Sequence, residues 1–212
     1  MNLNVDPLNL IVCGVGGQGN ILISRMIGRI LSRKGYYITI GETFGAAQRG
    51  GAVHSSMRIS EKRCYGPLIP KNGAHVIVSL EPLEALRMLT VYGNENVMTV
   101  TNTQPVYPVA VLSRRKDYPD LGRLKKSIES LSRGAWLVNV TQMAVDLGSP
   151  IVANIILLGS LLGIGKMPLQ TEDVEQEIRS TFPGSAAELN LKALRMGKEA
   201  VLPAASLSPS LS

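Results

Sequence analysis

The sequence predicts an α/β fold: three α/β/α layers built on a mostly parallel, Rossmann-like sheet, with an antiparallel hairpin added to it. Two observations lead there. Aromatic residues are only 4% of a chain that is 45% hydrophobic, so its core must be built from Ile, Leu, Val and Ala. That composition suits a sheet covered by helices better than an aromatic-rich antiparallel sandwich. Near the N-terminus, moreover, the hydrophobic period changes from strand-like to helical across a glycine-rich turn and then back again.

The elements follow in order. Leu8 to Cys13 reads as a short buried strand ended by glycine. From Gly19, the residues Leu22, Ile23, Met26, Ile27, Ile30 and Leu31 make an apolar stripe at helical spacing, with Arg25, Arg29 and Arg33 on another face and Gly35 as a C-terminal stop. Tyr37 to Ile40 is a second strand, so this stretch predicts a βαβ unit with parallel strands. Val53 to Ser60 reads as an extended strand, and Cys64 to Leu68 is expected to pair with it across the charged turn Glu61 to Arg63. Ala74 to Leu80 is an apolar strand. Pro82 opens a helix through Leu83, Leu86 and Leu89, where proline costs little, and Glu95 to Thr101 is a further strand. Tyr118-Pro119-Asp120 opens a helix running to about Ser132, and Trp136 to Val140 is the next strand. Pro150 starts an almost wholly apolar, and so buried, helix over 151–163. Thr171 caps a helix to Phe182, and Ser185 to Glu199 is the last helix.

Length and charge bound the possibilities. The 212 residues suit one domain, expected over 1–200, followed by a Ser-, Pro- and Ala-rich flexible tail over 201–212. No apolar run reaches the roughly 18 residues of a membrane span, and the N-terminus lacks a secretory pattern, so a cytoplasmic protein without membrane association is expected. The formal net charge is +6, concentrated in the first third. Without a dense basic run or aromatics for base stacking, that charge points to an anionic cofactor or an acidic partner rather than to nucleic acid. Cys13 and Cys64 are isolated. They form no CxxC pair, cannot supply the thiolates of an iron–sulfur cluster, and no residue set suggests a metal site. His54 and His75 belong to no triad, and no catalytic residue is assigned.

The sharpest local feature is Gly14-Val15-Gly16-Gly17-Gln18-Gly19, a GxGxxG between a strand and a helix. Glycine there lets a ligand approach the backbone, and the free N–H groups of the following helix favour a phosphate. Glu42 stands roughly where a dinucleotide-binding fold places the acid that meets the ribose, but lies past Gly41, outside the apolar strand. Three readings of the loop stay open on these residues: the dinucleotide site of an autonomous NAD-dependent oxidoreductase, an interface or phosphate site such as one for coenzyme A or thiamine diphosphate, and a turn needed only for helix–sheet packing; a non-enzymatic nucleotide-binding or assembly module is the further alternative for the chain.

Beyond the loop come GETFGAAQRGGAVHSSMRIS at 41–60, YGPLIP at 65–70, AHVIVSLEPLEALR at 74–87, IVANIILLG at 151–159 and LNLKALRMG at 189–197. In this order and spacing the chain resembles the gamma-type domain of the 2-oxoacid:ferredoxin oxidoreductases, the pyruvate and ketoisovalerate enzymes among them. It is most similar to the form used as the small beta subunit of the indolepyruvate enzymes. The match covers about residues 8–198. The sequence departs from the family pattern at Ala47, His54 and His75.

The resemblance implies a small, non-autonomous subunit. Enzymes of this family decarboxylate a 2-oxoacid oxidatively, join the acyl group to coenzyme A and reduce ferredoxin. Thiamine diphosphate, its Mg ion and the 4Fe–4S clusters are expected in the large alpha subunit rather than in this chain. Coenzyme A is a possible substrate near this chain, and indolepyruvate or another arylpyruvate is the expected 2-oxoacid. The residues that would face cofactor or partner are Gly14, Gly16, Gly17, Gln18 and Gly19 of the loop, with Glu42, Thr43, Gln48, Arg49, Gly50 and Gly51 beside them.

Overall fold

A computed structural model describes residues 3–42, 51–106 and 118–202. Six strands form one sheet in the order β2-β3-β1-β4-β5-β6: β1 Leu8–Val15, β2 Tyr37–Glu42, β3 Ala52–Ser60, β4 Val76–Ser79, β5 Met98–Asn102 and β6 Gly134–Val138. Strands β1, β4, β5 and β6 are parallel, whereas β3 runs antiparallel to both β1 and β2. The expected hairpin addition is therefore present but made of different strands. Residues 64–68 form no strand. They cross the face of β3 and bind its side chains instead: Ser56 Oγ donates to Pro67 O at 2.9 Å, and the Arg58 guanidinium reaches Gly66 O and Leu68 O and lies 4.7 Å from the Tyr65 ring centre. Two prolines, Pro67 and Pro70, flank this path and lack the N–H a ladder needs. The expected βαβ unit also changes character. β1 and β2 point the same way, but β3 is inserted between them.

Helices cover both faces. On one lie α1 Asn20–Arg33, α4 Val140–Asp146, α5 Ala153–Gly163, α6 Thr171–Thr181 and α7 Gly184–Glu199; on the other lie α2 Pro82–Tyr92 and α3 Leu121–Ser130. The two-residue period of β1 sorts its side chains between the layers: Leu8, Leu10 and Val12 join the larger core, Ile11 and Cys13 the smaller. The α1 stripe read from the sequence fills the larger core with Ile23, Met26, Ile27, Ile30 and Leu31. Every residue of α5 from Asn154 to Leu162 is buried, as its lack of a polar face requires.

Local chemistry explains the element ends. Glu81 caps α2 by accepting from Glu84 N at 2.8 Å, with Pro82 in the first turn, and Asp120 caps α3 by accepting from Arg123 N at 2.8 Å. Three expectations are corrected. The cap of α6 is Gln170, in a reciprocal box with Asp173, and Thr171 is already helical. Pro150 begins a short 3-10 turn, Pro150–Val152, and α5 starts only at Ala153. The helix α4 has no counterpart in the sequence reading, which ran the preceding strand on to Val140; Asn139 ends that strand and caps α4 by accepting from Gln142 N at 3.1 Å. Of the expected tail, residues 203–212 lie outside the described residues. No described helix is long and apolar enough to cross a membrane.

Candidate functional site

The glycine loop joins the C-terminal end of β1 to α1, and its shape is fixed from within. Gly16 N donates to Gly51 O at 2.8 Å and Gln18 N to Val15 O at 3.2 Å. Gln18 uses both ends of its amide: Oε1 accepts from Val15 N at 2.7 Å, and Nε2 donates to Leu80 O at 3.1 Å. Gly19, the residue before the helix, has φ +90°, a left-handed conformation that favours glycine. A Cβ there would also overlap the side-chain amide of Asn154, which α5 presents to the loop. Among the described residues no side chain caps α1, whose N-cap is Gly19, and its first turn holds no acid. Its leading N–H groups therefore keep their hydrogen-bonding capacity and partial positive charge. They open on a cavity of about 290 Å³ lined by Gly16, Gly17, Gly19, Asn20, Ile21 and Val53. Asn20 is buried, its Nδ2 donates to Val15 O at 3.4 Å, and its Oδ1 has no hydrogen-bond partner.

A polar lattice holds the C-terminal ends of the parallel strands around this cavity. Leu80 O accepts from Gln18 and also from Asn102 Nδ2 at 3.1 Å, and Asn102 Nδ2 reaches Thr141 Oγ1 at 2.9 Å. The loop and β5 thus meet at the carbonyl that follows β4, and Asn102 carries the tie on to α4. Next to it, the Glu81 carboxylate accepts from the Tyr118 hydroxyl and from the backbone N–H groups of Glu84, Val106 and Leu83. Burial pushes the Glu81 carboxyl above its ordinary value, and these donors only partly offset it. Burial likewise raises Glu84, against the opposing charge of Arg87.

The structure places the expected site residues unequally. Gly16, Gly17 and Gly19 line the cavity; Gly51 is bonded to Gly16; Gly14 is packed under Gln18, Asn20 and Leu80. The Gln18 side chain points its amide into the chain rather than into the cavity. Glu42 ends β2, inside the strand rather than past it, and pairs with Arg25 at 3.5 Å. Thr43, Gln48, Arg49 and Gly50 lie outside the described residues. Missed by the sequence reading were Asn20, Ile21, Val53 and Asn102. For Asn20 and Asn102 a signal existed: each is a polar residue at the junction of an apolar element with a loop.

Strand order also bears on the dinucleotide reading. In a dinucleotide-binding fold the strand carrying the ribose-binding acid lies beside the first strand. Here β3 stands between, so the end of β2 is two strand spacings from β1, about 10 Å, and Glu42 already holds an arginine.

Neither histidine nor cysteine belongs to the cavity. His75 Nδ1 accepts from Asn9 N at 2.9 Å, and burial holds its pKa down; burial does the same to His54. Cys13 is buried, with its thiol pushed up to about 12 by burial, whereas Cys64 is exposed. Among the described residues no three His, Cys, Asp or Glu side chains gather as a metal site, and two cysteines so placed cannot ligate a cluster.

Comparison with known proteins agrees with this architecture. Residues 9–200 match the family model of pyruvate ferredoxin/flavodoxin oxidoreductase. The chain is 39% identical to indolepyruvate oxidoreductase subunit IorB of Archaeoglobus fulgidus, covering 90% of this chain and 93% of that protein. It is 34% identical to the IorB subunit of Pyrococcus horikoshii, over 91% and 95% respectively. Its fold superposes on 2-oxoglutarate:ferredoxin oxidoreductase of Magnetococcus marinus with a TM-score of 0.71 at 19% identity, covering 93% of this chain but 31% of that longer one. The chain belongs to the pyruvate ferredoxin/flavodoxin oxidoreductase family, as a small subunit of a 2-oxoacid:ferredoxin oxidoreductase.

Proposed function

We propose that this chain completes the active site of a heteromeric indolepyruvate, or other arylpyruvate, ferredoxin oxidoreductase, and that the N-terminus of α1 receives a phosphate of coenzyme A. The observation that carries the reading is the uncapped start of α1, held open on a cavity by a loop whose own side chains are bonded inward. Backbone N–H groups there bind a phosphate without needing a lysine or arginine. The similar IorB proteins are indolepyruvate subunits, and the structure of the Magnetococcus marinus enzyme contains bound coenzyme A.

In this reading decarboxylation and electron transfer fall to thiamine diphosphate, magnesium and iron–sulfur clusters in a large subunit; the two cysteines of this chain, one buried and one exposed, cannot ligate a cluster. Ferredoxin takes the electrons from that subunit. The residues of this chain bind, orient and exclude water.

The test is co-expression with the large subunit and a panel of 2-oxoacids under ferredoxin or viologen reduction. Arylpyruvates should turn over best. The variant Ile21→Asp adds a negative charge to the first turn of α1, where it suits the helix but repels a phosphate. It should raise KM for coenzyme A about tenfold while leaving KM for the 2-oxoacid unchanged. A wild-type complex that oxidises no 2-oxoacid, or an unchanged coenzyme A KM in Ile21→Asp, overturns the proposal.

A further inference from the structure

Away from the glycine loop, α1 and the edge strand β2 bound a groove of about 740 Å³. Its floor is apolar: Gly28, where a Cβ would come 3.0 Å from Ile40 Cδ1, with Ile38 and Ile40, half-buried neighbours on one face of β2. Its wall is a stripe of Arg25, Arg29 and Arg33, one helical turn apart and so spread over about 12 Å. The acids that hold these arginines lie beneath them. Glu177 of α6 accepts from Arg29 Nε at 2.5 Å and from Arg33 Nη2 at 2.6 Å with its side chain 2% exposed, whereas the two arginine side chains are 48% and 54% exposed. Glu42 forms a longer ion pair with Arg25 at 3.5 Å, 10% against 59% exposed. Buried carboxylates thus fix the guanidinium groups side by side, with spare N–H groups toward solvent. The other boundary, β2, has its outer edge unpaired among the described residues, leaving backbone donors and acceptors for an added strand.

We infer that this groove is the docking site of an acidic, extended segment of the large subunit, which adds to the edge of β2 and sets its carboxylates against Arg25, Arg29 and Arg33. The inference rests on the heteromeric reading above. Charge selects the occupant. A second copy would bring another arginine stripe and another +6 chain to the surface, while an acidic segment is attracted and steered to it. The apolar floor takes one aliphatic or aromatic side chain between the acids. Strand addition supplies main-chain hydrogen bonds, and the arginines supply register.

The experiment uses the co-expressed complex. Hydrogen exchange of the small subunit, alone and in the complex, should show the amides of Tyr37–Glu42 gaining protection on assembly. The variant Arg25→Glu/Ser32→Glu cancels the positive charge of the groove wall, leaving two arginines against two glutamates, without replacing Arg29, Arg33 or Glu177. It should weaken association about tenfold or more at physiological salt, whereas Arg25→Lys alone should keep association near wild type, both variants with an unchanged melting temperature. Several outcomes overturn the inference: a wild-type complex whose β2 amides stay unprotected, a charge-cancelled chain that assembles normally and instead loses coenzyme A saturation, or a small subunit that self-associates through this groove. Absence of any wild-type complex overturns the heteromeric reading and this one together; assembly and turnover with an indifferent groove overturns only this one.

Discussion

Gly19 and Asn154 are in direct steric register: the side-chain amide of Asn154, at the start of α5, occupies the space that any Cβ on Gly19 would need. Asn154 is itself held by Ile155 N, which donates to its Oδ1 at 2.8 Å. Gly19→Ala combines this overlap with a φ of +90°, and strain of that kind costs of order 1–3 kcal/mol. A melting temperature lower by about 5 °C or more is expected. In Gly19→Ala/Asn154→Ala the overlap is gone and the backbone strain remains. A double-mutant cycle followed by thermal melts should therefore give a favourable coupling.

Glu177 predicts an acid-sensitive tie between α1 and α6. Burial pushes its carboxyl up, but hydrogen bonds and charge from Arg33 and Arg29 outweigh that and hold it below its ordinary value of 4.5. A depressed folded pKa adds stability that is present above the unfolded value and lost as pH falls through the folded one. Glu177→Gln should cost about 1–3 kcal/mol at neutral pH. The gap to wild type should close as pH falls below the ordinary glutamate range, as urea titrations at several pH values would show.

Glu81 predicts the opposite slope. Its folded pKa is raised by burial, so its protonated form is the one folding favours. That contribution is full at low pH and is lost as pH rises from the ordinary glutamate value through the raised one. Glu81→Gln should be as stable as wild type, or more so, at neutral pH. It should flatten the fall in stability with rising pH, with Glu84, also raised, keeping part of the slope. Glu81→Ala should instead lose about 1 kcal/mol through the missing cap of α2.

The two thiols should separate cleanly. Cys13, buried and raised to about 12, carries almost no thiolate at pH 8, whereas Cys64 is exposed. Iodoacetamide should label one site in the native chain and two in denaturant, with peptide mass spectrometry assigning the native label to Cys64.

The helices α5 and α7 should tolerate no added methyl where they cross. A Cβ on Gly197 would overlap Ile156 O, and one on Gly159 would overlap Leu194 O; Ser160 Oγ donates to Gly197 O at 3.0 Å across the same crossing. Backbone cannot retreat as a flexible side chain can. Gly197→Ala should thus cost at least the roughly 1–3 kcal/mol of ordinary overpacking, read as a lower urea midpoint.

By itself the sequence determined the α/β class, the buried stripe of α1, the apolar and largely buried α5, the opening of α2 at Pro82 and the strand–glycine–helix context of the loop. Its unusual segments carried the family resemblance. These features are local: a repeat of two or 3.6 residues, or a cap beside its helix, is set by side chains that are near neighbours in the chain. Tertiary structure decided what local pattern does not encode. The strand between β1 and β2, the crossing of 64–68 over β3, the inward use of Gln18 and the Arg25–Glu42 pair depend on contacts between distant residues. A period of two tells which face of β3 is buried, since Met57 and Ile59 alternate with polar neighbours. It does not tell which strands lie beside β3, because any partner that covers the same face satisfies the same pattern.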